Sequence, residues 1–318
     1  MNDFSWLLLF DAAIRLATPL LFAALAGMLS ERAGIIDIGL EGKMLVGAFA
    51  AAAWTSISGS VWEGIMVAMF CSVAFSLLHG FACITHKGDQ VVSGIAVNML
   101  ALAVTSLLAH RLFAQGGMTP VLGKLERLPE VAFPQWIEVD DTWLSQLYWQ
   151  LLSGHNILVY VGLLLVVLLS LFFKYSPYGN RVFAAGENPK ALQRAGGSLA
   201  TTRYAAIICG GAICGLSGAF LSVGHGAGFV ENMTVGKGFI ALAALIFAKW
   251  RPVAILFSCL FFGLLEALAI RLQGHPLFKG DGMLPIQLIE VLPYVLTVIV
   301  LAGFIGPSLA PKALGNRR

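Results

Sequence analysis

The chain has 318 residues, 58% of them hydrophobic and only 12% charged, with mean hydropathy +0.84 and a formal net charge of +3. Soluble domains carry about 25% charged residues, so this composition excludes a soluble globular domain: it could not cover a water-facing surface. It implies a polytopic membrane protein, and no nucleic-acid partner is expected.

Apolar runs near the ~20 residues that cross a bilayer occur at 4–29, 43–59, 61–85, 90–113, 155–174, 203–224, 238–250, 252–272 and 286–306. Those at 43–59 and 238–250 are short for a full crossing. The expected fold is all-α, one transmembrane domain over 1–318 with about 8–10 spanning helices. The N-terminus has acidic Asp3 and no basic stretch, so no cleaved signal peptide is expected.

In the first run Asp11 and Arg15 stand four apart, a helical pairing distance with a structural role. The next stretch, SERAGIIDIGLEGKMLVGAFA (30–50), interrupts the apolar pattern with Glu31, Arg32, Asp37, Glu41 and Lys43 and with Gly34, Gly39 and Gly42. Irregular backbone at membrane depth survives only where protein buries it or a water-filled cavity bathes it. Asp37 and Glu41 would then face a wet route. The alternative is an ordinary loop between the first two spans.

Further on, QVVSGIAVNML places Gln90, Ser93 and Asn98 inside a span. Such groups either hydrogen-bond helices together or, at Asn98, reach a polar ligand. His79 and His86 lack metal-ligand spacing. Cys71, Cys83, Cys209, Cys214 and Cys259 all fall in apolar runs and read as small hydrophobes.

Two hydrophilic connections differ in sign. Residues 114–153 carry Glu126, Glu130, Glu138, Asp140 and Asp141 against Lys124 and Arg127. Residues 174–203 carry Lys174, Arg181, Lys190, Arg194 and Arg203 against Glu187 alone. Lys and Arg favour the cytoplasmic side, which places 174–203 inside and 114–153 outside, the N-terminus outside and the C-terminal PKALGNRR inside. Trp136, Trp143, Tyr148 and Trp149 then suit an outer interfacial belt. Within the basic connection (175–202), Asn188 before Pro189 is a helix-start signal. A helix of under two turns follows, offering Ala191, Leu192 and Ala195 for contact and stopped by Gly196 and Gly197.

The sequence also echoes itself. AGIIDIGLEGK (33–43) aligns without a gap on AGFVENMTVGK (227–237): Ala, Gly, Gly and Lys coincide, and Asp37 meets Glu231, next to Asn232. Both copies lead into short runs of small residues. About five spans separate them, and an odd number inverts the second copy, giving halves of about 1–150 and 151–318. Short, Gly-interrupted segments in two inverted halves mark a transporter's binding site, so the substrate pathway is expected at Asp37, Glu41, Gln90, Ser93, Asn98, Glu231 and Asn232. In FFGLLEALAIR, Glu266 is a lone carboxylate in an apolar span, expected to face protein or a cavity. Arg271 belongs to that span's outer end.

ERAGIIDIGLEG, GENPKALQRAGG (186–197), ENMTVGKGFIALAALIFAKWRP (231–252), QVVSGIAVNMLAL and LPYVLTVIVLAG together resemble, in order and over nearly the whole chain, permease subunits of bacterial ABC importers. The family is the ribose and branched-chain amino acid type, and the match is nearest its nucleoside branch. The resemblance implies a non-enzymatic subunit of the inner membrane that translocates nucleosides, purine nucleosides first, with a simple sugar such as ribose as the alternative. It implies cytoplasmic ATPase subunits, a second permease subunit forming a heterodimer or homodimer, and a periplasmic or lipid-anchored binding protein. It also implies an ATPase-coupling role for Gly186, Glu187, Asn188, Pro189, Ala191, Leu192, Arg194 and Gly196. The family's pattern carries Asn where Asp37 stands and a hydrophobic residue where Lys43 stands. No GxxxxGK[ST] phosphate loop occurs, and no catalytic residue, metal or cofactor is expected. A different class, the ion-coupled secondary transporter, would also carry inverted repeats and intramembrane acids.

Overall fold

The structure, a computed structural model, describes residues 6–131, 148, 153–273, 295 and 309–315. The expected span at 286–306 and the belt residues Trp136, Trp143 and Trp149 lie outside the described residues, Val295 excepted.

The first helices are α1 (Trp6–Arg32), α2 (Leu40–Ser58), α3 (Val61–Gly80, continued by a π turn Phe81–Thr85) and α4 (Gln90–Phe113). Then come α5 (Ile157–Tyr175), α6 (Pro177–Glu187) and α7 (Pro189–Arg194). The last are α8 (Leu199–Ala219, continued by a π turn Phe220–His225), α9 (Lys237–Phe247) and α10 (Pro252–Gln273). Among the described residues six helices are long and apolar enough to cross a membrane, and the chain is a helical, multi-pass membrane protein. The described strands are two-residue pieces, β1 (Glu130–Val131) and β2 (His155–Asn156), paired antiparallel.

Burial separates inner from outer helices. In α1 and α8, 78% of the apolar window is buried, against 22% in α4 and α5, which turn Met99, Leu107, Leu164 and Val167 outward. Helices approach closely in lipid where small residues line the seam, and α8 supplies them. A Cβ on Gly218 would stand 2.2 Å from the Met44 carbonyl oxygen, and one on Gly215 2.7 Å from that of Ala68. Polar ties cross the same core: Ser217 Oγ donates to the Pro19 carbonyl at 2.6 Å. Arg15 Nη2 meets Asp11 Oδ2 at 2.7 Å, the pairing their spacing predicts.

The bundle has two unlike ends. One carries β1, β2 and the loop before them, where Thr119 N donates to the Phe229 carbonyl. The other carries α6, α7 and the segment 309–315, where Ala313 N donates to the Gly186 carbonyl at 2.7 Å. Because α1 begins beside α10's last turns and ends against Gly186, it runs from the strand end to the α7 end.

Candidate functional site

The interrupted segment predicted after the first span is a genuine break. α1 stops at Arg32, Gly34 turns the chain with φ +87°, and α2 resumes at Leu40. The exposed backbone groups of a break must find partners inside a membrane protein, and α4 supplies them. Gln90 Oε1 accepts from Ile36 N at 2.7 Å. Asn98 Nδ2 donates to the Ile38 carbonyl at 3.0 Å, while its Oδ1 accepts from Gly42 N at 2.8 Å. The Ile36 carbonyl can only accept, so His79 Nε2 donates to it at 3.0 Å, and Ser93 Oγ lies 3.0 Å from His79 Nδ1. Gln90, Ser93 and Asn98 therefore use their hydrogen bonds to hold the break in shape.

Asp37 and Lys43 close the break on themselves. Lys43 Nζ stands 2.6 and 2.7 Å from the two Asp37 carboxylate oxygens, and Ser30 Oγ donates to Oδ2 at 3.0 Å. Their side chains are 3% and 1% exposed. The two positions that depart from the family's pattern are each other's partners.

At the second residue of α2, the geometry changes from closure to junction. Glu41 Oε1 accepts from Gly236 N at 2.7 Å and Oε2 from Gly238 N at 2.6 Å, so one carboxylate of the first break caps the helix that follows the second. A Cβ on Gly238 would fall 2.5 Å from Glu41 N. From this meeting point α2 runs toward the strand end, where Phe49 packs edge-on to Phe229. α9 runs the other way, to Trp250 beside Arg32. Two helix N-termini, each a site of partial positive charge, thus face one carboxylate.

The second break is strained. Asn232 (φ +57°) and Val235 (φ +43°) take left-handed backbone ahead of Gly236 (φ +80°). A β-branched residue there is a true outlier. Thr234 is buried, and its Oγ1 has no hydrogen-bond partner among the described residues. Lys237 pairs with Glu266, so the carboxylate that looks solitary in its span takes its partner from another helix. Asp37 and Glu231, aligned in the echo, occupy unlike places. Asp37 is sealed in its ion pair, whereas the Glu231 side chain is 42% exposed at the strand end, 3.9 Å from His110 Nε2.

A clasp that the sequence reading did not single out joins α9 to the α7 end. Trp250 Nε1 donates to Glu31 Oε2 at 2.6 Å, and Arg32 Nε and Nη2 donate to the Trp250 carbonyl at 3.1 and 2.8 Å. Lys249 and Trp250 both hold left-handed backbone, φ +51° and +54°. The Arg32 guanidinium also stacks 5.3 Å from the Phe183 ring of α6. Gly186 abuts the end of α1 so closely that a Cβ would sit 2.2 Å from the Arg32 carbonyl oxygen. The signal available in sequence was the Glu31–Arg32 pair closing an apolar run, but its partner lies 219 residues away.

The short helix α7 forms as its signals predict: Asn188 Oδ1 accepts from Ala191 N at 3.1 Å, Pro189 opens it, and Gly196 leaves it at φ +79°. One contact assignment is corrected. Leu192 is 5% exposed, packed inward under Gly197, so Ala191, Arg194 and Ala195 form the outward face without it. Among the described residues no group of three or more His, Cys, Asp or Glu could hold a metal ion.

The family described as branched-chain amino acid transport system / permease component matches residues 9–301. The guanosine ABC transporter permease protein NupQ of Bacillus subtilis is 34% identical, over 96% of this chain and 94% of its own. The nucleoside ABC transporter permease protein NupC of Lactococcus lactis is 32% identical, over 94% and 92%. The putative glucose ABC transporter permease protein TsgC13 of Haloferax volcanii is also 32% identical, over 92% and 90%. The match spans the whole arrangement of breaks, clasp and short helix, and the chain belongs to the branched-chain amino acid transport system / permease component family.

Proposed function

We propose that this chain is the membrane subunit of an ABC importer that passes nucleosides, purine nucleosides first, through a bacterial inner membrane. The observation that carries the reading is the 34% identity, nearly end to end, to a guanosine ABC transporter permease. The chain acts as one permease domain of two inverted halves and performs no chemistry of its own. ATP is hydrolysed on a separate cytoplasmic subunit that docks on α7. A second permease subunit and an external binding protein complete the importer. The α7 end and the C-terminus are cytoplasmic, in keeping with the excess of Lys and Arg there.

In this reading the Glu41 junction is the closed point of the pathway. A neutral, hydroxyl-rich ligand sheds water where backbone amides and polar side chains such as Thr234 can replace it. Movement of α7 passes to α6, and through Gly186 and Phe183 to Arg32. Arg32 moves the end of α1 and, through Trp250, the far end of α9. Turning α9 draws the Gly236 and Gly238 amides off Glu41 and opens the junction.

Uptake of labelled guanosine into proteoliposomes holding the assembled complex tests this. It should require ATP and survive collapse of ion gradients. Uptake that follows an ion gradient without ATP would overturn it. A simple sugar is the second reading, favoured by the 32% identity to a putative glucose permease, and labelled ribose or glucose in the same assay decides between them.

A further inference from the structure

An apolar groove of about 410 Å³ opens on the outside of the bundle near its α7 end, between α5, α6 and α8. Leu29, Phe172, Val182 and Ala206 line its depth, Cys209 stands at its apolar end, and Arg181, Ser198 and Thr201 stand at its mouth. From Ser198 to Cys209 the helix climbs roughly 16 Å at 1.5 Å per residue, so the groove is long and narrow rather than round. Cys209 is exposed on the flank of α8, so the apolar end lies open at the bundle surface.

The mouth is cationic. Arg181 stacks on Tyr178, 5.1 Å from its ring centre, and has no carboxylate partner among the described residues. Around it the chain from 174 to 203 carries five Lys or Arg against one Glu. An apolar trough at membrane depth with a guanidinium at its rim complements a molecule with an anionic head and a hydrocarbon tail. Basic pockets between membrane helices recognise anionic lipid head groups in this way.

We propose that this groove seats one acyl chain of an anionic phospholipid, with its phosphate on Arg181. The bound lipid fills the space between α6 and α8 and braces α6, and α7 behind it, against the bundle.

The test uses the chain reconstituted in vesicles of equal parts phosphatidylglycerol and phosphatidylcholine, then released for native mass spectrometry. The wild type should keep one phosphatidylglycerol in preference to phosphatidylcholine. Arg181→Gln should keep about fivefold less, the loss expected for one cation near a lipid phosphate. Cys209→Trp, which blocks the apolar end, should lose the lipid while Arg181 remains. Ala205→Leu narrows the same wall and serves if Cys209→Trp fails to insert. Equal retention of the two lipids, or retention unchanged in Arg181→Gln or in the blocked variant, would overturn the proposal. Displacement by inorganic phosphate would likewise overturn it, as an anion site without an acyl seat.

Discussion

At the scale of single residues, the Asp37–Lys43 pair decides what substitution near the first break can do. Removing one member of a buried pair strands the other charge, at about 3–5 kcal/mol, whereas replacing both by neutral groups of similar size often costs little. Asp37→Asn should therefore lower the melting temperature in detergent sharply, and Asp37→Asn with Lys43→Met should recover most of the loss. A single variant that melts like the wild type would show that the pair does not hold the break. The charged stretch is legible in the sequence, but this pairing is not. Six residues is no helical neighbour distance, and only the turn at Gly34 brings Ser30, Asp37 and Lys43 together. Glu266, expected to face protein or a cavity, does face protein, and its partner is invisible locally for the same reason: Lys237 belongs to another helix.

At the scale of elements, long apolar runs were legible because length and hydropathy alone define them. The span expected at 90–113 is α4 to the residue, and 61–85 is α3 with its π turn. α2 begins at Leu40 rather than Lys43 because Asn98 takes the Gly42 amide, a contact no local pattern carries. α6 was hidden in a polar connection, although Ser176 caps it and Pro177 opens it. The junction of α2 with α9 depends on Gly238 having no side chain. Gly238→Val should force the two helix starts apart and remove the charge-assisted bonds to Glu41, each worth about 1.5–3 kcal/mol. Guanosine uptake by the assembled complex should fall at least tenfold while membrane insertion, followed by protease protection, stays normal. Unchanged uptake would remove the junction from the pathway.

At the scale of the whole molecule, coupling between ATP hydrolysis and transport should run through Arg32. Lys keeps the charge but loses the planar fork that both stacks on Phe183 and donates twice to Trp250. In the assembled complex, Arg32→Lys should lower uptake several-fold while hydrolysis continues, so the ratio of nucleoside moved to ATP consumed drops. A parallel loss of both activities would point to misassembly instead. Ala191→Asp tests the docking end of the same line, since Ala191 faces outward from α7. A charge pressed into an apolar contact without a partner should weaken retention of the ATPase subunit, read as a faster off-rate on a surface carrying the permease.

The meeting of two helix starts on one carboxylate has an electrical consequence. Each N-terminus is worth roughly half a positive elementary charge, so together they offset the single negative charge of Glu41. With Lys237 matched by Glu266 beside it, the closed junction carries almost no net charge. A neutral nucleoside would then cross it without moving charge through the membrane field, and uptake should be indifferent to voltage. Glu41→Gln leaves the two dipole ends uncompensated, and moving one elementary charge through 100 mV is worth about 2.3 kcal/mol. In vesicles clamped with valinomycin and graded potassium, wild-type uptake should stay flat across the imposed potentials and Glu41→Gln uptake should slope. A slope in the wild type would mean that the junction is not electrically silent.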